Sequence, residues 1–206
     1  MSSNQTPHKL LLATRNKGKI EEFRRILDEL APGSIRLLGL EKFPETSDVE
    51  ETGDTFEENA LLKARSICAE TGLPAIADDS GLCVEALYGA PGIYSARFAG
   101  THGDDAANNA KLLQELIHVP DGKRTAYFIC VTALVMPDGR ETTREGRFYG
   151  AIGHEPVGKN GFGYDPLFQP DGLSISSAQM SASDKDAISH RGKSLRAIAP
   201  FVLEML

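Results

Sequence analysis

The order of apolar and polar residues predicts strands that alternate with helices along the first half of the chain. Short apolar runs at residues 9–14, 35–40 and 74–77 predict buried strands. Between the first two, apolar residues at helical spacing line one face and charged residues line the other, which predicts an amphipathic helix. Pro32 and Gly33 end this helix.

A second helix is predicted from the capping-box spacing of Thr55 and Glu58. The strand at residues 74–77 is predicted to end at a turn, Asp78-Asp79-Ser80-Gly81, after which Leu82 begins another strand. A third helix is expected from Asp104 or Asp105 to residue 117.

The second half of the chain predicts a hairpin and a terminal helix. A long run at residues 124–136, rich in β-branched and aromatic residues, is followed by the turn Pro137-Asp138-Gly139-Arg140 and a second run at residues 141–149. Residues 194–206 have helical spacing, and Pro200 predicts a kink or a break within them.

These elements indicate an α/β fold with a mixed sheet. The chain has 206 residues, 41% of them apolar and 25% charged, which suits one globular α/β domain. We expect a single domain over residues 9–206 and a flexible tail over residues 1–8, whose polar sequence lacks the apolar stretch of a secretory signal. No membrane is expected as a partner, because no apolar run approaches the ~20 residues of a membrane span.

The net charge of −7 is concentrated in one block. Residues 41–58 hold eight acidic residues and one lysine, so the rest of the chain is neutral. Nucleic acid is therefore not expected as a partner, because the faces that bind it cluster Lys and Arg against phosphates. Cys68, Cys83 and Cys130 are widely spaced, which favours reduced core thiols in the cytoplasm over a zinc site or a disulfide framework.

The first candidate site is the turn Thr14-Arg15-Asn16-Lys17-Gly18-Lys19, which follows the first strand. A helix N-terminus offers backbone N–H groups and the positive end of the helix dipole to an anion, and the two lysines add charge. The segment is not a Walker A motif, since residue 13 is Ala. It predicts a phosphate site, with a solvated turn as the alternative.

Two pairs of carboxylates, Glu50-Glu51 and Asp78-Asp79, are candidate ligands for Mg²⁺, which prefers oxygen and shares its ligands with substrate phosphates. Asp78-Asp79 directly follows a buried strand, where an unpaired carboxylate is costly, so a partner or a metal is expected there. For Glu50-Glu51 alone, an exposed loop is the simpler interpretation.

Two further segments are candidates for binding a base. In Gly161-Phe162-Gly163-Tyr164-Asp165-Pro166, Phe162 can present its ring to a planar base while Tyr164 or backbone groups contact the edge of the base. A turn that buries Phe162 is the alternative. Residues 183–192, with Lys185, His190 and Arg191, either face one ligand or form the polar end of a helix. Together the four segments hold the groups that bind a nucleoside triphosphate with Mg²⁺.

Six motifs, in order from residue 13 to residue 192, resemble the inosine triphosphate pyrophosphatases, which hydrolyse non-standard purine nucleoside triphosphates. They lie at residues 13–19, 51–64, 77–82, 89–97, 161–166 and 189–192. The sequence Ala-Asp-Asp-Ser-Gly at residues 77–81 is most similar to the bacterial branch.

The resemblance implies an elongated, two-lobed α/β fold, with a central mixed β-sheet flanked by helices and an active cleft between the lobes. It also implies a homodimer, Mg²⁺ as the cofactor, and cleavage of ITP, dITP and XTP to the monophosphate and pyrophosphate. By motif, Asp79 would be the general base and a metal ligand, with Glu50 or Glu51 completing the metal site.

The remaining motif positions would contact the substrate. The triphosphate would be held by Thr14, Arg15, Asn16, Lys17, Gly18 and Lys19, and faced by Lys63 and Lys185. Ser80 would also contact substrate. The base would be enclosed and recognised by Phe162, Gly163, Tyr164, Asp165, His190 and Arg191.

Two other functions use the same residues. One is a nucleotide pyrophosphatase with another specificity, such as modified pyrimidines, which only a panel of substrates distinguishes. The other is a nucleotide-binding module without catalysis. The paired carboxylates argue against such a module, because carboxylates beside a triphosphate do not favour its binding unless Mg²⁺ is present.

Overall fold

Six strands form one mixed sheet in the computed structural model, which describes residues 7–206. The strands are β1 (His8–Leu12), β2 (Ile35–Gly39), β3 (Ala75–Val84), β4 (Thr125–Val135), β5 (Glu141–Ile152) and β6 (Phe168–Pro170). The α-helices are α1 (Lys17–Leu30), α2 (Phe56–Thr71), α3 (Asp105–Glu115), α4 (Ala182–Ile188) and α5 (His190–Met205).

The strand order is β2-β1-β3-β4-β5-β6. β1 is parallel to both β2 and β3, whereas β5 is antiparallel to β6. These pairings confirm the prediction of an α/β fold with a mixed sheet flanked by helices. Among residues 7–206, none of the helices combines the length and the apolar composition that crossing a bilayer requires.

The described chain divides into two compact units. The first holds residues 7–79, Val131–Glu145 and Gly192–Leu206, and the second holds Ser80–Cys130 and Gly146–Arg191. The single domain over residues 9–206 remains a prediction. The tail predicted over residues 1–8 falls mostly outside the described residues, and His8 already belongs to β1.

Helices cover both faces of the sheet in the first unit. Leu10 and Leu12 of β1 pack in one cluster with residues of α1 and α5, while Leu11 packs in another with residues of α2. Successive side chains of a strand point to opposite faces, so the three consecutive buried leucines of β1 indicate a sheet that is covered on both sides.

The capping box predicted at α2 is confirmed. The Thr55 hydroxyl accepts the Glu58 backbone N–H at 3.1 Å, and a Glu58 carboxylate oxygen accepts the Thr55 N–H at 3.1 Å. Gly72 ends the helix in the left-handed conformation, at φ 66°. Both ends of α2 are therefore fixed, which sets the positions of the polar side chains along it.

α5 continues through Pro200 to Met205, so the break expected there does not occur. Proline removes one helical hydrogen bond because it has no N–H. Leu195, Ile198 and Val202 on either side of it are fully buried in the core of the first unit, and their packing offsets that loss.

β3 corrects a second prediction, because Asp78, Asp79, Ser80 and Gly81 lie inside one ten-residue strand and not in a turn. Four small or polar residues in sequence are typical of a turn. Here the two carboxylates have lysine partners from other elements, as described below, so the strand remains extended through buried polar positions.

The hairpin of β4 and β5 is confirmed, with Met136 N–H donating to the Arg140 carbonyl at 2.9 Å.

Candidate functional site

The adjacent carboxylates of Asp78 and Asp79 bind lysines of different helices. Asp78 Oδ2 lies 3.0 Å from Lys19 Nζ of α1, and Asp79 Oδ1 lies 3.2 Å from Lys63 Nζ of α2. α1 and α2 pack in separate core clusters, and side chains alternate along a strand, so neighbouring acids meet different helices. The predicted carboxylate pair is therefore two separate ion pairs.

Asp79 belongs to a hydrogen-bonded group that we call the carboxylate cluster: Glu51, Asn59, Lys63 and Asp79. Lys63 Nζ donates to Glu51 Oε1 at 2.8 Å and to Asp79 Oδ1 at 3.2 Å. Asn59 Nδ2 donates to Asp79 Oδ2 at 3.3 Å, and its own Oδ1 accepts the Gly53 N–H at 2.8 Å. Both oxygens of Asp79 are thus held by fixed donors.

Asn59 was not among the predicted site residues. It lies within the 51–64 motif, four residues before Lys63, so the two side chains share one face of α2. That spacing is the signal by which the sequence could have identified it.

Burial and charge perturb the pKa values in this cluster. Burial raises the pKa of the Asp79 carboxyl, and the positive charges of Lys63 and Lys19 act in the opposite direction. Burial lowers the pKa of Lys63, but the nearby carboxylates, Asp79 first, outweigh it and raise that pKa overall. Lys63 is therefore a cation at neutral pH, and Asp79 is a stronger base than an exposed carboxylate, which suits it to accept a proton from water.

The structure brings only Glu51 of the two predicted acids into the cluster, because the side chain of Glu50 is exposed. Within residues 7–206, no three His, Cys, Asp or Glu side chains are arranged to hold a metal ion. Glu51 and Asp79 both contact Lys63 Nζ and supply the oxygen ligands that Mg²⁺ prefers. Mg²⁺ is commonly bound by one or two carboxylates with substrate phosphates and water. The donor set fits an ion shared with a nucleotide.

The predicted phosphate segment forms the N-terminus of α1. Asn16 is the N-cap residue, and its side chain accepts the Lys19 N–H at 3.1 Å, while Thr14 Oγ1 accepts the Asn16 N–H at 3.2 Å. The N–H groups of Lys17 and Gly18 belong to the first turn, where they have no acceptor within the helix. The positive end of the helix dipole and two lysines therefore meet at this turn.

Arg15 is directed to a neighbouring loop of the same unit. Its Nε lies 3.0 Å from Asp48 Oδ1, and its Nη2 donates to the Thr46 carbonyl at 3.0 Å. These bonds connect the N-terminal turn of α1 to the acidic block at residues 41–58. Contact of Arg15 with phosphate remains a prediction.

In the second unit, Asp165 organises residues 161–165, which we call the aromatic loop. Its buried carboxylate accepts the Phe162 N–H at 2.9 Å and lies 2.6 Å from Lys185 Nζ. A Cβ at Gly161 would lie 2.0 Å from Asp165 Oδ2, and φ there is +75°. Glycine is therefore required at this position, since any other side chain would displace the carboxylate.

Two cations lie over the Phe162 ring. Lys185 Nζ is 5.3 Å and Arg191 Cζ 5.7 Å from the ring centroid, within the range of a cation–π contact. Arg191 is almost fully buried, and its Nη2 donates to Ser80 Oγ at 2.9 Å. Ser80, Phe162, Lys185 and Arg191, all predicted from sequence to contact the substrate, are thus brought together in the second unit.

His190 and Tyr164 are held within the core of the second unit. The His190 imidazole stacks on Phe128, with ring centroids 4.8 Å apart and an interplanar angle of 13°. The Tyr164 hydroxyl donates to the Ser95 carbonyl at 2.9 Å, and burial raises the pKa of the phenol, so it remains neutral. Their contact with a substrate remains a prediction.

A mixed α/β sheet with lysines and carboxylates beside a helix N-terminus is typical of α/β proteins that bind phosphorylated ligands. The chain belongs to the Ham1 family, whose sequence model matches residues 10–201.

The known relatives match almost the whole chain. A dITP/XTP pyrophosphatase of Nocardia farcinica is 53% identical over 195 residues, which cover 95% of each chain. One of Streptomyces avermitilis is 53% identical over 198 residues, 96% of this chain and 98% of the relative. These matches confirm the family resemblance inferred from the six motifs.

Solved structures confirm the fold. A Ham1 protein of Staphylococcus aureus has a TM-score of 0.83 at 39% identity, covering 96% of this chain and all of its own. A second structure comes from Mycobacterium abscessus and is described as a nucleoside-triphosphatase and dITP/XTP pyrophosphatase. It has a TM-score of 0.75 at 48% identity and covers 94% of this chain and 99% of its own.

Proposed function

We propose that this chain hydrolyses the non-standard purine nucleotides ITP, dITP and XTP to the nucleoside monophosphate and pyrophosphate. The carboxylate cluster carries the proposal, because it places a buried, basic carboxylate between an ammonium group and an amide donor. The relatives of Nocardia farcinica and Streptomyces avermitilis, which are named dITP/XTP pyrophosphatase and match at least 95% of this chain, support the same substrate class.

Asp79 is the general base of the proposed reaction. It takes a proton from the water whose oxygen forms a bond to the α-phosphorus, and the bond from that phosphorus to the bridging oxygen breaks as pyrophosphate leaves. Burial raises the pKa of Asp79 and so increases its affinity for the proton. Asn59 fixes the orientation of the carboxylate through Oδ2.

Positive charge beside Asp79 stabilises the triphosphate. Lys19, Lys63 and the N-terminus of α1 offset the negative charge that develops on the phosphate oxygens. Glu51 and Asp79 would hold the Mg²⁺ ion, which supplies further charge neutralisation at those oxygens when it is bound.

The aromatic loop recognises the base. The Phe162 ring offers a stacking surface, and Lys185 and Arg191 are cationic donors beside it. We assign Lys185 to this end of the substrate, since its ammonium group lies at the aromatic loop. Hypoxanthine and xanthine carry an oxygen at position 6 where adenine carries an amino group. Adenine would leave such a donor unpaired, at a cost of about 1–3 kcal/mol.

The test is pyrophosphate release from ATP, GTP, CTP, UTP, ITP, dITP and XTP, with Mg²⁺ and with EDTA. We expect release from the last three only, and only with Mg²⁺. Asp79→Asn should lower kcat by about 10³-fold without abolishing ITP binding. Glu51→Gln should raise the Mg²⁺ concentration that is needed, whereas Glu50→Gln, the matched control, should behave as wild type.

Two results would overturn the proposal. Tight ITP binding without release in Mg²⁺ identifies a non-catalytic binding module. Preferred cleavage of a modified pyrimidine triphosphate identifies a pyrophosphatase of another specificity. Turnover of Asp79→Asn close to wild type would remove Asp79 from the mechanism.

We also propose that the chain is a cytoplasmic homodimer. The support for the compartment is that Cys68, Cys83 and Cys130 are buried and none forms a disulfide, as is typical of a reducing environment. The support for the dimer is that Tyr88 and Tyr94 of the second unit are exposed, and exposed aromatic residues are enriched at interfaces.

A further inference from the structure

Two side chains of α3 hold one residue of the aromatic loop, Gly163, through its backbone N–H and its backbone carbonyl. Asp105 Oδ2 accepts the Gly163 N–H at 2.7 Å, and Asn109 Nδ2 donates to the Gly163 carbonyl at 2.8 Å. The two residues are four apart, so their side chains lie on the same face of the helix. We call Asp105 and Asn109 the α3 clamp.

The clamp is itself rigid. Asn109 is buried, and its Nδ2 also donates to the Asp105 carbonyl at 2.8 Å, so both amide hydrogens are used and the orientation of the amide is fixed. Asp105 is in the first turn of α3, where the helix dipole favours a carboxylate. A charged acceptor also forms a stronger hydrogen bond to an N–H than a neutral acceptor does.

The aromatic loop needs such anchors because of its sequence. Phe162 lies between two glycines, the residue type with the greatest backbone freedom, and both adopt positive φ, +75° at Gly161 and +63° at Gly163. Asp165 fixes the N–H of Phe162 from one side. The clamp fixes the next peptide, so the segment that carries the ring is anchored at both ends.

We propose that Asp105 and Asn109 are positioning residues for base recognition, which act by holding Gly163 so that the Phe162 ring is already in place when the base binds. This inference rests on the proposed function. It attributes the rigidity of the aromatic loop to α3, a helix that lies outside the six sequence motifs. A loop fixed in advance loses less conformational entropy on binding, so the clamp acts on affinity more than on the chemical step.

The experiment compares Asp105→Ala and Asn109→Asp with Asp104→Ala. Asp104 is the N-cap of the same helix, and its side chain accepts the Ala107 N–H at 3.0 Å, so its removal weakens α3 without touching Gly163. Three quantities are measured: hydrogen exchange at the Gly163 amide, the Kd for ITP by calorimetry, and kcat and KM for ITP.

We expect exchange at Gly163 to accelerate about tenfold in Asp105→Ala, the equivalent of one lost hydrogen bond. The Kd and KM for ITP should rise by a similar factor in both clamp variants, with kcat changed little. Asp105→Asn retains an oxygen acceptor and should restore most of the affinity. Asp104→Ala should lower Tm and leave Kd and KM as in the wild type.

The proposal is overturned if Gly163 exchange is unchanged in Asp105→Ala, or if Asp104→Ala raises KM as much as the clamp variants do. If the wild-type chain binds ITP but releases no pyrophosphate, the proposed hydrolysis fails, and exchange and Kd still decide the role of the clamp. If it does not bind ITP, both proposals fail.

Discussion

Lys63→Met removes the ammonium group that lies between Glu51 and Asp79 while keeping a side chain of similar length on α2. The wild-type Nζ is 2.8 Å from Glu51 and 3.2 Å from Asp79. Methionine fills the space of the lysine stem, so the change tests charge with little change in packing. The carboxylates then face one another without the cation that separates them.

The expected loss follows from the burial of the three side chains. Removing one partner of a buried ion pair costs about 3–5 kcal/mol. Asp79 has 7% of its side chain exposed, but Glu51 has 25% and can regain water. We therefore expect the lower end, about 3 kcal/mol, which for a chain of this length lowers Tm by about 6–12 °C.

The loss should depend on pH. Burial raises the pKa of Asp79, and Lys63 is among the charges that lower it, so in Lys63→Met the pKa of the folded-state carboxyl rises further. A carboxyl whose pKa is higher in the folded state destabilises the fold when it is ionised. That destabilisation disappears as the pH falls through the raised pKa and a proton is taken up. The difference from wild type should therefore shrink as the pH is lowered from neutral to mildly acidic values.

The assay is unfolding by urea and by heat, in the presence of EDTA, at neutral pH and at a mildly acidic pH. Arg65→Met is the matched control, because Arg65 is on the same helix in an exposed ion pair with Glu141 and should cost less than about 1 kcal/mol. A loss for Lys63→Met no larger than that of the control, or a loss that is equal at both pH values, would refute the electrostatic account.

Two further outcomes can be checked with the same protein. Gly161→Ala should lower the free energy of unfolding and raise the KM for ITP, because its Cβ meets Asp165. Gly172→Ala, with φ +77° and no atom within 4 Å of the new Cβ, should show only the backbone strain of about 1–2 kcal/mol in urea unfolding. Light scattering should give twice the mass of one chain for the proposed homodimer, and a single-chain mass at micromolar concentration would contradict it.

Local periodicity predicted most elements of the fold to within a few residues, because the spacing of apolar side chains and the caps are themselves local. The capping box at Thr55 and the hairpin after Met136 are examples. β3 was predicted wrongly because Asp78 and Asp79 are typical of a turn. They remain in a strand through lysines that come from α1 and α2, and no pattern within residues 75–84 contains that information.

The sequence located the residues of the site but not the contacts that fix them. Asn59 meets Asp79 across 20 residues of sequence, and Asn109 meets Gly163 across 54. Contacts of this kind depend on how elements pack. The same limit applies to Arg15, which the motif assigns to phosphate and which in the structure pairs with Asp48.

Buried lysine–aspartate pairs recur in both units, and stability alone does not account for them. Desolvation of two charges often outweighs their attraction, and well-packed apolar residues are commonly as stable or more so. Three such pairs lie in segments expected to bind a nucleotide: Lys19–Asp78, Lys63–Asp79 and Lys185–Asp165. A lysine that is already desolvated and fixed by a carboxylate needs little reorganisation when an anion binds, and its charge acts in a region of low dielectric where it is most effective. The presence of these pairs in place of more stabilising apolar residues is thus explained by pre-organisation for a charged ligand.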